Sequence, residues 1–138
     1  MNSNFADTLY FKKENILEII LRFHRSYKSL QREIQTCCEL NGLTFNELLV
    51  LLELQKKFEK KTEIANKIYI KKQNLNLIFK ELEKKNIIEV KNKKALLTDQ
   101  GKDLMDKTIN RVNEKIIQLF QKTDPKNMSG FINIIESL

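Results

Sequence analysis

Apolar residues fall at Ile16, Ile20, Phe23, Tyr27, Leu30, Ile34 and Cys37, in alternating steps of four and three through a polar background. That is a helical stripe of heptad type, and it predicts one long helix over Phe11 to Leu40. So long a helix exceeds what one small core needs, so part of its stripe is expected to meet a second chain. Asn41 and Gly42 end it, because both residue types tolerate the left-handed conformation that closes helices.

Thr44 and Glu47 stand three apart, the spacing of a capping box, with Leu43 and Leu48 at the staple positions around it. They open a second helix from Phe45 to about Leu54 whose leucines and Val50 leave almost no polar face, which predicts burial between other elements. After a charged connection, Gln55 to Lys61, Thr62 is the expected cap of a short helix with Ile64, Ala65 and Ile68 turned inward. A break near Tyr69-Ile70 precedes a further helix over Lys72 to Lys85, with Leu75, Ile78, Phe79 and Leu82 on one face and Asn86 as its stop. Two such helices joined by a tight turn make a helix-turn-helix pattern.

Two short apolar runs follow, Ile87 to Val90 and Ala95 to Leu97, with Asn92-Lys93 between them as the turn of a hairpin. Leu97-Thr98 leads into a fifth helix carrying Met105, Ile109, Val112, Ile116 and Leu119 at steps of four and three. Asp124-Pro125 supplies an N-cap and first-turn proline for a last helix bearing Met128, Phe131, Ile132, Ile135 and Leu138. The predicted fold class is mainly α with a small β-hairpin. The first, fifth and sixth helices are expected to form a two-fold dimer interface, since symmetry buries the same stripe twice.

With 138 residues, three Gly and one Pro, the chain has the length of one domain and little material for long loops. Charge changes the picture more than composition does. Lys56 to Lys94 holds thirteen Lys against five Glu, a local excess of +8, whereas the whole chain carries only +7. A basic block that coincides with fold signals points to a polyanion, because each phosphate neutralised by a lysine releases condensed counterions. The plainer reading is a solvated lysine-rich surface.

The run Glu63-Ile64-Ala65-Asn66-Lys67-Ile68, then Leu75 and Leu82-Glu83-Lys84-Lys85-Asn86-Ile87-Ile88, then Leu97-Thr98-Asp99-Gln100-Gly101, resembles the order and spacing of motifs in the MarR family and its staphylococcal accessory regulator relatives. The resemblance spans about Leu43 to Lys102 and implies a winged helix-turn-helix with N- and C-terminal dimerisation helices. It divides a single domain, 1–138, into a DNA-binding core at about 43–98 and dimerisation helices at 8–40 and 99–138. It further implies that the helix from Lys72 enters the major groove and that Lys91 to Lys94 is the wing. The expected function is that of a sequence-specific, homodimeric DNA-binding transcription regulator on a pseudo-palindromic site. The competing class is a winged-helix protein-interaction module without specific DNA binding.

Long polar side chains in the first turns of a groove-bound helix reach base edges. Gln73 and Asn74 carry the paired donor and acceptor that address adenine, and Lys71 and Lys72 suit phosphate or guanine. Asn76 and Lys80 on the same helix, and Lys91, Asn92, Lys93 and Lys94 on the wing, complete the expected DNA-binding set. The sequence departs from the family in its shorter wing, in Lys71 where a capping Ser or Thr is usual, in Leu77 where a basic residue is common, and in Tyr69 where Gly is frequent. A bulky residue held at positive φ there would be strained.

Cys37 and Cys38 are adjacent, which fits neither a disulfide framework nor a zinc site and suits a reducing compartment. Neighbouring side chains on a helix diverge by about 100°, so at most one thiol is expected to face the core. Buried packing and oxidant sensing are the two readings of this pair, so the expected effector is an oxidant or a small molecule. His24, the single histidine, reads as a helix-face residue. Glu81 and Glu83 flank Leu82 and point apart. With no phosphate loop, metal-spaced set or nucleophile motif, neither an enzyme nor a cofactor is expected. No run reaches the roughly 18 apolar residues of a membrane helix, and Met1 to Asp7 lacks a signal-peptide layout, so the chain is expected in the cytoplasm, away from membranes.

Overall fold

The computed structural model describes residues 13–56 and 60–138. Its elements are α1 (Lys13–Glu39), α2 (Phe45–Lys56), α3 (Lys61–Lys67), α4 (Lys72–Lys84), β1 (Ile88–Lys91), β2 (Lys94–Leu97), α5 (Asp99–Phe120) and α6 (Pro125–Ser137). The expected start of the first helix at Phe11 and the middle of the charged connection, 57–59, lie outside the described residues.

Three helices end in the same way, and only two of them do so with a suitable residue. At α1, Leu43 N–H donates to the Cys38 carbonyl (3.0 Å) with Gly42 at φ 74°; at α4, Ile87 N–H donates to Leu82 (2.9 Å) with Asn86 at φ 61°. At α3, Ile70 N–H donates to Ala65 (3.1 Å), and the left-handed position is taken by Tyr69 at φ 58°. These are Schellman closures, which favour Gly and tolerate Asn. A tyrosine in that conformation carries a backbone cost of about 1–2 kcal/mol.

Helix starts follow local chemistry as well. The Thr44 hydroxyl accepts from Glu47 N–H (3.1 Å) while Glu47 accepts from Thr44 N–H (2.8 Å), closing the capping box. Thr98 accepts from Gly101 N–H (2.9 Å) and Asp124 from Lys126 N–H (2.8 Å). The expected Thr62 cap is corrected: α3 begins earlier, with Lys60 in the capping position and no side-chain bond to close it. Lys71 likewise caps α4 with extended backbone and no side-chain bond.

The core lies where α2, α4, the hairpin and α5 meet. Val50, Leu51, Ile64, Leu75, Leu82 and Phe79 fill it, joined by Ile88 and Ala95 from the strands and Met105 from α5. Gly101 is required at the start of α5, because a Cβ there would collide with the Ile87 backbone carbonyl. The same corner is locked by Thr98, whose N–H donates to Ile87 (3.0 Å) and whose hydroxyl donates to the Asn86 carbonyl (2.7 Å). This is the physical content of the Leu97-Thr98 to Gly101 motif.

Glu47 is almost fully buried, yet it is satisfied twice over. Besides its capping bond, its carboxylate takes Lys85 Nζ at 3.2 Å, and the same ammonium donates to the Gly42 carbonyl at 3.0 Å. A carboxylate buried without a partner of this kind would be costly to the fold. The pair clamps the end of α4 to the corner between α1 and α2. Asn41 adds a second tie by donating to the Thr108 hydroxyl (2.8 Å), which holds that corner on α5.

Cys37 and Cys38 are both buried, yet only Cys38 faces the main core, as the divergence of neighbouring side chains implied. Two different surfaces cover them. Cys38 joins the main core, whereas Cys37 lies against α5 with Sγ 4.0 Å from the Arg111 carbonyl oxygen. Burial, then the neighbouring Cys37 sulfur, push the Cys38 thiol up to about 11, so it stays protonated at neutral pH, the less reactive form.

Candidate nucleic-acid interface

α4 presents three faces, set by the 3.6-residue period. Leu75, Phe79 and Leu82 are buried in the core. Opposite them, Gln73, Leu77, Lys80 and Lys84 follow steps of four, three and four, and all four are exposed. This outward stripe is the solvent-facing side of the helix. Asn74 and Asn76 lie on its two flanks.

On one flank, Lys72 and Asn76 of α4 join Lys60, Lys61 and Thr62 at the start of α3 and Val90 and Lys93 of the hairpin around an open cleft of about 630 Å³. Lys61 is held there by its stacking partner, with Nζ 5.1 Å from the centre of the Phe79 ring. Four ammonium groups from three separate elements thus border one concavity, a concentration of positive charge suited to phosphate. Lys72, Asn76 and Lys93 are legible as candidates in the sequence. Lys60, Lys61 and Thr62 belong to a stretch that reads in sequence as a charged connection and a cap, and only folding brings them to α4.

On the other flank, Asn74 and Leu77 line a groove of about 370 Å³ with Gln31 and Gln35 of α1 and Phe45 and Asn46 of α2. Gln73 and Lys80 remain on the outward stripe, and Lys71 is exposed at the start of α4. The structure therefore distributes the expected α4 residues over the stripe and both flanks.

The wing is a two-residue hairpin. Ile88 pairs with Leu97, Glu89 with Leu96, Val90 with Ala95 and Lys91 with Lys94, while Asn92 (φ 51°) and Lys93 (φ 63°) form the turn. Two successive positive φ values mark the type I′ turn that matches strand twist. All four wing residues are exposed. Lys91 and Lys94 face each other across the pair, a like-charge arrangement that destabilises a hairpin in isolation. Glu89 offsets part of this, with its carboxylate 3.0 Å from Lys91 Nζ. An exposed pair of that kind is weak and readily exchanged for a phosphate.

Among the described residues, no group of three or more His, Cys, Asp or Glu side chains could hold a metal ion. No described helix is long and apolar enough to cross a membrane.

No family model and no curated protein matches the sequence. Solved structures do match the fold. A MarR-family transcriptional regulator from Rhodococcus sp. RHA1 superposes with a TM-score of 0.82 at 14% identity, over 91% of this chain and 95% of that one. A MarR-family protein of Mycobacterium tuberculosis in complex with DNA gives a TM-score of 0.76 at 19% identity, over 85% and 94% of the two chains. The same protein in complex with p-aminosalicylic acid gives 0.73 at 20% identity, over 85% and 95%. The chain thus has the winged helix-turn-helix fold of the MarR-family structures, as its motif order implied.

Proposed function

We propose that this protein is a sequence-specific DNA-binding transcription regulator, acting in the cytoplasm as a homodimer on a pseudo-palindromic site. The observation that carries the proposal is the convergence of Lys60, Lys61, Lys72 and Lys93 on one cleft beside an exposed polar helix face. In this reading α4 lies in the major groove, Gln73 and Asn74 address bases, and Lys80 approaches the groove from the outward stripe. Lys71 and the four cleft lysines take phosphates, as do Lys91, Lys93 and Lys94 of the wing, with Asn92 at its tip.

Dimerisation rests on the exposed apolar residues of the terminal helices. Ile16, Ile20, Phe23 and Tyr27 of α1 and Phe131, Ile132 and Ile135 of α6 face solvent in the single chain. An apolar surface of this extent marks an interaction site, and a two-fold pairing buries it on both copies. The pairing would hold two α4 helices about 34 Å apart, one turn of duplex. Control by a small-molecule effector belongs to the same reading, supported by a structure of this fold that holds p-aminosalicylic acid.

Selection of bound fragments from a genomic DNA library, with the full chain at two salt concentrations, tests the proposal. Recovery of duplexes with two related half-sites one helical turn apart, bound more tightly than random DNA at both salts, is the expected result. Equal affinity for selected and random duplexes would contradict it and leave a protein-interaction module as the better account.

A further inference from the structure

The outward stripe of α4 contains one residue that phosphate attraction does not explain. Leu77 is 64% exposed at its centre, one turn from Gln73 and Lys80 and three residues from Asn74, with which it lines the same groove. The helix does not need it for packing, since Leu75, Phe79 and Leu82 already fill the buried face. Leu77 also has no like neighbour on the stripe, where the other positions are Gln73, Lys80 and Lys84. Its apolar neighbours in that groove, Phe45 and Ile78, are half-buried, so Leu77 is a single exposed apolar tip with polar Asn74, Gln31 and Gln35 around it, less than the contiguous exposed area that marks a protein-docking patch. It does match one apolar feature of the major groove, the C5-methyl group of thymine.

We propose that Leu77 is a specificity-determining residue that packs against a thymine methyl in each half-site, an inference that rests on the DNA-binding reading above. Asn74 makes the choice of thymine coherent. Residues three apart on a helix are neighbours, and an Asn amide pairs with adenine N6 and N7. The two side chains together favour an A·T-containing step, Asn74 through adenine and Leu77 through thymine. The outcome is discrimination by a methyl group, separable from lysine-driven affinity.

The test uses the full chain and a duplex recovered by genomic selection, in which each thymine is replaced singly by deoxyuridine, removing the methyl and nothing else. At one thymine per half-site the wild-type protein should lose about fourfold in affinity, the worth of one buried methyl. Leu77→Ala should bind the parent duplex more weakly and show no further loss with deoxyuridine at that position. Leu77→Met, which keeps an apolar tip, should retain the loss. Circular dichroism should show unchanged helix content for both variants, as expected at an exposed site. If no uracil substitution weakens wild-type binding, or if Leu77→Ala keeps the full penalty, the inference fails while DNA recognition stands. If wild type prefers no duplex over random DNA, the DNA-binding reading fails and this inference fails with it.

Discussion

The winged-helix segment and the terminal helices carry apolar stripes of similar regularity and put them to opposite uses. From α2 to β2, residues such as Val50, Leu51, Ile64, Leu75 and Phe79 are at most 2% exposed. In α6 no residue is buried, and Phe131, Ile132 and Ile135 are 44–50% exposed. α1 contains both regimes. Its end, at Cys37 and Cys38, is covered by α5 and the core, while Ile16, Ile20, Phe23 and Tyr27 stand in solvent. Periodicity therefore identifies an apolar face without identifying what covers it. Helices folded on one another around the core find cover within the chain; the first turns of α1 and all of α6 lie off that core, and their stripes stay exposed in the single chain.

This contrast should show most strongly in the core. Phe79→Ala removes an aromatic ring that packs inward on the core and stacks outward on Lys61, and it should lower folding stability by about 3–5 kcal/mol in urea titration. The matching change in the terminal helices is Phe23→Asp combined with Ile132→Asp. It should weaken self-association about a hundredfold in sedimentation equilibrium. Monomer stability should stay within about 0.5 kcal/mol, as expected of exposed sites. A loss of monomer stability as large as that of Phe79→Ala would erase the distinction between the two regions.

A smaller effect reads the covered end of α1. The Cys38 thiol titrates near 9.0 when unfolded and about 11 when folded. Its folded pKa is raised, so its contribution is fully present below pH 9 and is lost as pH climbs toward 11, where the unfolded chain has already released the proton. Stability should fall by up to about 1.4 kcal/mol per pH unit across that window. Cys38→Ala should fall less steeply in chemical denaturation at the same pH values, whereas identical slopes would mean that the thiol is not shielded. The smallest effect lies in the α3–α4 turn. Tyr69 is 93% exposed and strained, so Tyr69→Gly should raise stability by about 0.5–1 kcal/mol, relief of strain outweighing the greater freedom of the unfolded glycine. A lower urea midpoint would show that the tyrosine makes a stabilising contact.

Much of this was legible in the sequence because the controlling chemistry is local. The Thr44–Glu47 capping box, the cap at Asp124, the Asn86 stop and the Asn92-Lys93 turn each depend on residues within a few positions of one another. What escaped depends on contacts between distant segments. Glu47 meets Lys85 across 38 residues, and nothing in either local pattern signals the pairing. Both thiols are buried because α5 covers a second side of α1, which a single-helix argument cannot see. Lys60 and Lys61 look like parts of a connection until α3 is set beside α4 and the wing. Thr62 fails as a cap because the capping position falls two residues earlier, at Lys60, which leaves Thr62 inside the first turn.

Lysines from separate elements are proposed to act together on nucleic acid, and the salt dependence of binding reads out their joint action. The slope of log affinity against log salt should be shallower for Lys72→Ala/Lys93→Ala than for wild type by about 3–4 units, roughly 0.9 for each phosphate left without its lysine, two on each chain of a dimer. Parallel slopes, with the double variant binding as tightly as wild type at raised salt, would rule that joint action out.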